Sequence, residues 1–146
     1  MIDAKRIVRE IKLLKFFDHE NIIKVLDVAK PPARTGFEDI YIITELIETD
    51  MHRVIYSRQD LTDDHLQYFM HQLLKGCYYM HSSNIIHRDL KFQNVMLAEP
   101  PEYVNGQLNI QSVELKVVDF GMVKSFDRAT PNADIELTSK IGRAHV

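Results

Sequence analysis

The sequence is poor in cysteine and glycine, and each shortage excludes a particular kind of site. Cys77 is the single cysteine among 146 residues, so the chain forms neither an internal disulfide nor a cysteine metal cluster, which fits a reducing compartment. The five glycines are scattered along the chain. No two of them are close enough for a GxGxxG or Walker A loop, in which clustered glycines let the backbone approach a phosphate. The chain therefore carries no glycine-rich phosphate loop of its own.

Charge and hydrophobic runs exclude further classes of function. The chain has 18 Lys and Arg against 21 Asp and Glu residues, a net charge of −3, whereas nucleic acids and anionic membranes are bound by basic surfaces. No apolar run approaches the roughly 18 residues of a membrane span, and the N-terminus lacks the pattern of a signal peptide. With 45% hydrophobic and 27% charged residues the chain can bury a core. We expect neither a nucleic-acid nor a membrane partner.

Hydrophobic periodicity predicts helices mixed with short strands. The helical spacing of Ile7, Ile11 and Leu14 predicts a helix over residues 4–17. Strands are predicted at 22–28, 40–44, 85–86, 95–97 and 115–118. The first two are joined by a short turn with prolines and Gly36, which favours antiparallel pairing. Since helices and strands do not alternate regularly, the sequence predicts an α+β fold.

The longest predicted helix begins after Thr62 and ends near residues 81–84. Thr62 suits the N-cap, and Asp63 and Asp64 suit the positive end of the helix dipole. An apolar stripe on this helix is predicted to face the core, formed by Leu66, Phe69, Met70, Leu73, Leu74 and Cys77. A short helix is expected at 51–57, and a loop or hairpin at 98–112.

The candidate catalytic residues lie in two motifs. HRDLKFQN begins at His87, and DFG begins at Asp119 after an apolar run. In this order they resemble the catalytic loop and the metal-binding motif of protein kinases. The resemblance implies that Asp89 orients or deprotonates the attacking hydroxyl and that Lys91 steadies the transferring phosphoryl group. It also implies that Asn94 and Asp119 bind Mg²⁺. The alternative is a surface turn followed by an unrelated DFG.

An acidic residue on the apolar face of the first helix supports this resemblance. Glu10 falls within the arc of Ile7, Leu14 and Phe17, and a buried carboxylate is costly unless it is paired. In the family, a glutamate of helix C pairs with a strand lysine that holds the α- and β-phosphates. The resemblance gives that role to Glu10, whereas its position alone also allows a carboxylate that reaches water at the edge of the stripe.

Further segments narrow the resemblance to mitogen-activated protein kinases. They are FDHENII from Phe17, TELIETD from Thr44, and LTDDH from Leu61 followed by Tyr68. The implied fold is a partial bilobal kinase fold. Residues 1–140 are expected to be a kinase-domain fragment: an N-lobe remnant (1–44), a hinge (45–50) and part of the C-lobe with the start of the activation segment (51–140).

The same resemblance assigns residues to nucleotide recognition. They are Thr44 as gatekeeper, Glu45 and Ile47 through their backbones to adenine, Asp50 to the ribose, Met96 as the floor of the adenine pocket and Val118 as its back. Without the resemblance, Thr44 is an ordinary strand residue and Met96 an ordinary core methionine. Only their alignment with the family's motifs assigns them to the pocket.

Regulation and docking are implied in the same way. Arg88 precedes Asp89 and suggests activation by loop phosphorylation, because this arginine can pair with a phosphate. Thr138 is the candidate phosphorylated residue, although no tyrosine stands two positions later. His65 and Tyr68 align with the family's docking groove for linear motifs.

The resemblance is incomplete at several points. The chain begins just before helix C, so the family's glycine-rich loop and the lysine partner of Glu10 would lie upstream. Phe92 stands where the family usually has proline, and residues 98–112 are longer than the usual connection. Residues 141–146 resemble one reading frame of a sequencing-library adapter and are expected to be non-native.

The resemblance implies a serine/threonine protein kinase of the mitogen-activated type, which uses ATP and Mg²⁺. A monomer is expected, located in the cytoplasm and in some cases also in the nucleus. Protein substrates and an upstream activating kinase are the implied partners, reached through docking motifs. The fragment alone is expected to be inactive and poorly stable. Two alternatives stay open: a non-catalytic truncated kinase that binds docking peptides, and a kinase-like phosphotransferase of small molecules.

Overall fold

The computed structural model describes most of the chain between Ile2 and Phe126. The described residues are 2–30, 36, 39–47, 49–57, 60–98, 103–104, 107–108 and 113–126. Thr138, predicted to be phosphorylated, and the predicted non-native tail at 141–146 lie outside them.

The described residues form helices and short strands, so the predicted α+β fold is confirmed. The helices are α1 (Ile2–Phe16), α2 (Met51–Tyr56) and α3 (Asp63–Ser82). The strands are β1 (Val25–Val28), β2 (Ile42–Thr44), β3 (Thr49–Asp50), β4 (Ile85–Ile86), β5 (Val95–Leu97), β6 (Tyr103–Val104), β7 (Gln107–Leu108), β8 (Leu115–Val117) and β9 (Lys124–Ser125). A 3₁₀ turn, Phe92–Asn94, precedes β5. None of the helices in the described part of the chain is long and apolar enough to cross a membrane.

The strands pair in small antiparallel sheets. β1 pairs with β2, and β5 lies between β3 and β8 in a three-stranded sheet. β4 pairs with β9, and β6 pairs with β7. The β1–β2 pair was predicted. The β6–β7 pair lies within 98–112, where a loop or a hairpin was predicted.

The predicted first strand is interrupted after its start. Only Val25–Val28 pairs with β2, whereas Ile22 forms a parallel bridge with Val117 of β8. Val117 N–H donates to Asn21 O at 2.9 Å, and Ile23 N–H donates to Val117 O at 3.0 Å. The segment after α1 is therefore anchored to the strand that leads into the DFG motif.

The predicted core face of α3 was wrong for part of its stripe. Leu66, Met70 and Leu74 are 49%, 55% and 59% exposed. The residues of α3 that are buried are His65, Phe69, Gln72, Gly76 and Met80. The buried face of α3 differs from the predicted one because Gln72, a polar residue, faces the core. Its side chain bonds to the backbone of Val113 and Leu115, before and at the start of β8.

Candidate active site

A cavity of about 380 Å³ lies between the β1–β2 pair, the following segment and the β5–β8 strands. It is lined by Glu10, Leu14, Ile23, Ile42, Thr44, Glu45, Leu46, Ile47, Met96, Val118 and Asp119. Its volume falls within the range of small-molecule pockets, about 300–1,000 Å³. Most of the lining side chains are apolar, and the polar ones are Glu10, Thr44, Glu45 and Asp119.

Residues implied to contact adenine meet in this cavity. Thr44 ends β2, Met96 is the middle residue of β5, and Val118 follows β8. All three line the cavity together with Glu45 and Ile47. The grouping depends on the pairing of β5 with β8, which sets Met96 opposite Lys116.

Asp50, implied to contact the ribose, is engaged elsewhere. Its side chain caps α2 by accepting a hydrogen bond from Arg53 N–H at 2.9 Å, and the Arg53 Nε lies 3.5 Å from its second oxygen. A carboxylate at an N-cap satisfies a backbone donor that the helix leaves unpaired. Asp50 is not among the lining residues, and its contact with ribose stays a prediction.

The catalytic-loop side chains converge on Asp89. Lys91 Nζ donates to Asp89 Oδ2 at 2.9 Å, and Asn94 Nδ2 donates to the same oxygen at 3.0 Å and to Asp89 O at 2.8 Å. The hydrogen bond from Lys91 is the largest of the effects that hold the pKa of Asp89 below its usual value. Asp89 is therefore ionised at neutral pH. Both side-chain donors that the described residues offer it bond to Oδ2, so within this part of the chain Oδ1 is available to a hydroxyl.

His87 connects the catalytic loop to the DFG segment. Its Nδ1 accepts a hydrogen bond from Asp89 N–H at 3.3 Å, so Nε2 carries the proton of the neutral ring and donates to Val118 O at 2.9 Å. Burial lowers the pKa of His87. The neutral imidazole therefore fixes the position of Asp89 relative to the strand that precedes Asp119.

Asn94 and Asp119 offer the oxygen ligands that a magnesium site needs. Val118 N–H donates to Asn94 O at 3.0 Å, which sets Asn94 beside the residue that precedes Asp119. The Asp119 carboxylate is exposed at the cavity. No group of three or more His, Cys, Asp or Glu residues suitable for a metal occurs among the described residues. Mg²⁺ is usually held by one or two carboxylates together with substrate phosphates, so this pair fits it.

Glu10 lines the cavity beside the DFG motif. Burial, and then the nearby charge of Asp119, raises the pKa of Glu10, while a hydrogen bond from the Phe120 backbone opposes this effect. No lysine or arginine is among the described residues that line the cavity. The Glu10 carboxylate therefore has backbone contact but faces another acid, an arrangement that a cation would stabilise.

Phe120 links helix α1 to the catalytic loop through aromatic packing. Its ring centroid lies 5.3 Å from that of Phe17, just beyond α1, and 5.1 Å from that of His87. It is among the most deeply buried side chains described, at 1% exposed. The DFG motif is therefore held on both sides, by α1 and by the loop that carries Asp89.

The residues predicted for regulation and docking have other visible partners. Arg88 Nε donates to Met122 O at 2.6 Å. His65 is buried in the capping box of α3, where Nδ1 accepts from Thr62 N–H at 3.0 Å. Tyr68 is half-buried against the cluster around Phe69. Their roles in phosphate pairing and docking stay predictions.

Sequence reasoning overlooked a buried polar network behind the cavity. Lys116 is buried within β8, and Asn21 and Gln72 are buried beside it. The signal was available, because a lysine within an apolar strand and a glutamine on a core-facing helix position both require partners.

Comparisons of the sequence with known proteins identify its family. A family model described as protein kinase domain matches residues 1–142. The chain is 49% identical over 128 residues to a mitogen-activated protein kinase homolog of Nicotiana tabacum, covering 88% of this chain and 31% of the relative. It is also 49% identical over 125 residues to mitogen-activated protein kinase 4 of Arabidopsis thaliana, covering 86% of this chain and 30% of that protein. The chain thus spans about a third of the length of these relatives.

Proposed function

The chain belongs to the protein kinase domain family, and from this premise we propose that the protein is a serine/threonine kinase of the mitogen-activated type. It would transfer the γ-phosphoryl group of ATP to serine or threonine hydroxyls of proteins. The similarity to mitogen-activated protein kinases supports this type. The observation that carries the proposal is the hydrogen-bonded cluster of Asp89, Lys91 and Asn94. The bond from Val118 N–H to Asn94 O joins this cluster to the cavity wall that also carries Asp119.

In the proposed reaction the substrate hydroxyl oxygen attacks the γ-phosphorus. A new oxygen–phosphorus bond forms, the bond to the bridging oxygen breaks, and ADP leaves. Ionised Asp89 orients the hydroxyl through Oδ1 and takes its proton. Lys91, within 2.9 Å of Asp89, lies close enough to balance charge on the phosphoryl oxygens. Asn94 and Asp119 would hold Mg²⁺, which would neutralise charge on the phosphates.

Nucleotide binding in this proposal uses the 380 Å³ cavity. The apolar walls provided by Ile47, Met96 and Val118 suit a flat heteroaromatic ring, and backbone groups near Glu45 supply its hydrogen bonds. Asp119 and Glu10 lie at the end of the cavity where the phosphates would be. Because both are acids, phosphate binding there requires cations.

The proposed partners follow from the proposed type. They are protein substrates and an upstream activating kinase, which would recognise the protein through docking motifs. Arg88 would pair with a phosphate added to the activation segment, with Thr138 as the proposed acceptor. We also propose that the protein acts as a monomer in the cytoplasm and in the nucleus.

The test is a transfer assay with the full-length protein that carries this chain. γ-Labelled ATP and Mg²⁺ are incubated with a basic protein substrate, and separately with a set of small hydroxylated compounds. We expect label on protein serine or threonine. Label on the small compounds alone would favour a small-molecule phosphotransferase. Nucleotide binding without any transfer would favour a non-catalytic binding module.

A further inference from the structure

Lys116 is a buried cation in the strand that leads to the DFG motif. It is the middle residue of β8 and is 6% exposed. A buried ammonium group is costly unless hydrogen bonds and opposite charges compensate it. Its Nζ donates to Glu20 O at 2.9 Å and lies 3.2 Å from Glu114 Oε2 and 3.4 Å from Glu45 Oε1. Lys116 thus joins the segment after α1, its own strand and the hinge.

The contact with Glu45 is the one that reaches the cavity. Glu45 lines the cavity, and its Oε1 accepts a hydrogen bond from Lys24 N–H at 2.8 Å. Glu45 N–H in turn donates to Lys24 O at 3.3 Å. The side chain of Glu45 is therefore held between the segment before β1 and Lys116 of β8. Its position determines where the backbone of the hinge enters the cavity wall.

A second cavity, of about 200 Å³, borders Lys116 itself, and its lining residues also include Phe17, Glu20 and Lys24. Glu45 lines the first cavity and Lys116 the second, so the ion pair connects the two cavity walls. The backbone of Lys24 and the ammonium group of Lys116 both hold the Glu45 carboxylate, and the ion pair is the part of this contact that connects the hinge to β8.

Glu114 faces the same lysine without touching the cavity. It lies just before β8, two positions from Lys116, and its side chain is 42% exposed against 28% for Glu45. It supplies charge compensation locally and connects no distant segment to Lys116. Replacing either glutamate with glutamine therefore removes one carboxylate charge beside Lys116, but only Glu45 connects Lys116 to the hinge.

We propose that Lys116 is a positioning residue that fixes the hinge through the Glu45 carboxylate and thereby sets the affinity for the adenine nucleotide. This inference rests on the proposed function, because it assumes that adenine binds along the hinge. Lys116 contacts neither the phosphates nor the hydroxyl acceptor in this arrangement, so it acts on nucleotide affinity and leaves the chemical step unchanged.

The test compares Glu45→Gln with Glu114→Gln in the full-length protein. Each variant removes one carboxylate charge from Lys116, but only the first loosens the hinge. We expect Glu45→Gln to raise the KM for ATP and the Kd for ADP about three- to tenfold with kcat unchanged, because charge-assisted hydrogen bonds are about twice as strong as neutral ones. Glu114→Gln should leave all of these values unchanged.

A double-mutant cycle separates positioning from general stability. Lys116→Met should raise the KM for ATP as Glu45→Gln does, and adding Glu45→Gln to it should have no further effect, since the pair is already broken. Equal KM values for Glu45→Gln and Glu114→Gln would overturn the inference, as would additive effects in the cycle. If Lys116→Met does not fold, the two glutamine variants still decide. A wild-type protein that neither binds ATP nor transfers phosphate would instead overturn the proposed function.

Discussion

Two residues of the candidate site, Arg88 and Asp119, have positive φ angles of 68° and 63°. Residues other than glycine adopt this left-handed region at a cost of about 1–3 kcal/mol, which neighbouring contacts must offset. Arg88 Nε bonds to Met122 O, and Asp119 Oδ1 accepts from Gly121 N–H at 3.4 Å. The strain therefore lies where the catalytic loop meets the DFG segment, at residues that include Asp119 of the cavity lining.

The backbone at Phe92 has a conformation that suits proline, the residue that the family usually has at this position. It begins the 3₁₀ turn, and Lys91 before it is extended, with φ −150° and ψ 164°, as residues before proline are. Its ring is 58% exposed, so little burial is lost on replacement. We predict that Phe92→Pro in the full-length protein raises the free energy of unfolding by about 0.4–1 kcal/mol, measured by urea unfolding.

Phe92→Ala is the control for this change, because it removes the ring without restricting φ. It should alter the free energy of unfolding by less than about 0.5 kcal/mol. A loss of stability on Phe92→Pro that Phe92→Ala does not share would contradict the backbone geometry described for residues 91 and 92.

The buried, neutral ring of His87 should make the protein less stable in mild acid. Its pKa is lowered by burial, so the folded state favours the neutral ring. The lowered pKa contributes its full stability above about pH 6.5, the ordinary pKa of histidine in the unfolded chain. This contribution is lost as the pH falls from there to the lower pKa of the folded state, because the unfolded chain then binds the proton more readily. We predict that His87→Gln reduces the fall in thermal midpoint between about pH 7.5 and about pH 5.5.

Part of the pH dependence should survive in this variant, because burial also lowers the pKa of His19. His71→Gln, at an exposed position of α3, is the matched control. The same pH dependence in wild type and His87→Gln would refute the role given to the buried neutral ring.

At the scale of elements, α3 is joined to β8 by buried hydrogen bonds from one side chain. Gln72 Nε2 donates to Val113 O at 3.0 Å, and Gln72 Oε1 accepts from Leu115 N–H at 2.9 Å and from Asn21 Nδ2 at 3.0 Å. Gly76 allows close approach nearby, since a Cβ there would lie 3.2 Å from Asn21 O. These contacts orient α3 against the strand that leads to Asp119.

Gln72→Ala should therefore destabilise the protein strongly. It leaves the backbone groups of Val113 and Leu115 buried without their side-chain partner, and each such loss costs about 1–3 kcal/mol. We predict a decrease in the free energy of unfolding of about 2 kcal/mol or more. Gln67→Ala, on the exposed face of the same helix, should change it by less than about 0.5 kcal/mol. Equal effects of the two substitutions in urea unfolding would be incompatible with the network.

Elements with strong local signals were predictable from the sequence, but their mutual orientation was not. Periodicity and the Thr62 cap gave the position of α3, because these signals are local. Its buried face was misjudged, since apolar character alone does not reveal that Gln72 satisfies backbone groups far along the chain. For the same reason Ile22 was assigned to β1, whereas it bridges to Val117. The grouping of Thr44 and Met96 came only from the family resemblance.

At the scale of the whole molecule, the cavity provides apolar walls and acids but no basic side chain among the described residues that line it. ATP carries several negative charges near Glu10 and Asp119 in the proposed arrangement, so transfer depends on cations supplied from outside this cavity wall. We predict that the 146-residue chain alone transfers phosphate at least about 100-fold more slowly than the full-length protein. A radiometric assay in which the isolated chain matches the full-length protein would refute this.

In the proposed mechanism the cavity binds the nucleotide, whereas Asp89 orients the attacking hydroxyl and takes its proton, and a single substitution separates these two roles. Asp89→Asn in the full-length protein is assayed on the same sample for ATP affinity and for phosphate transfer to protein, with Asp63→Asn, at the exposed start of α3, as control. We predict that Asp89→Asn lowers the transfer rate by about 10²–10⁴, the usual contribution of a general base, and leaves ATP affinity within about twofold. The control should retain both. Transfer by Asp89→Asn at the wild-type rate would contradict the catalytic role proposed for Asp89.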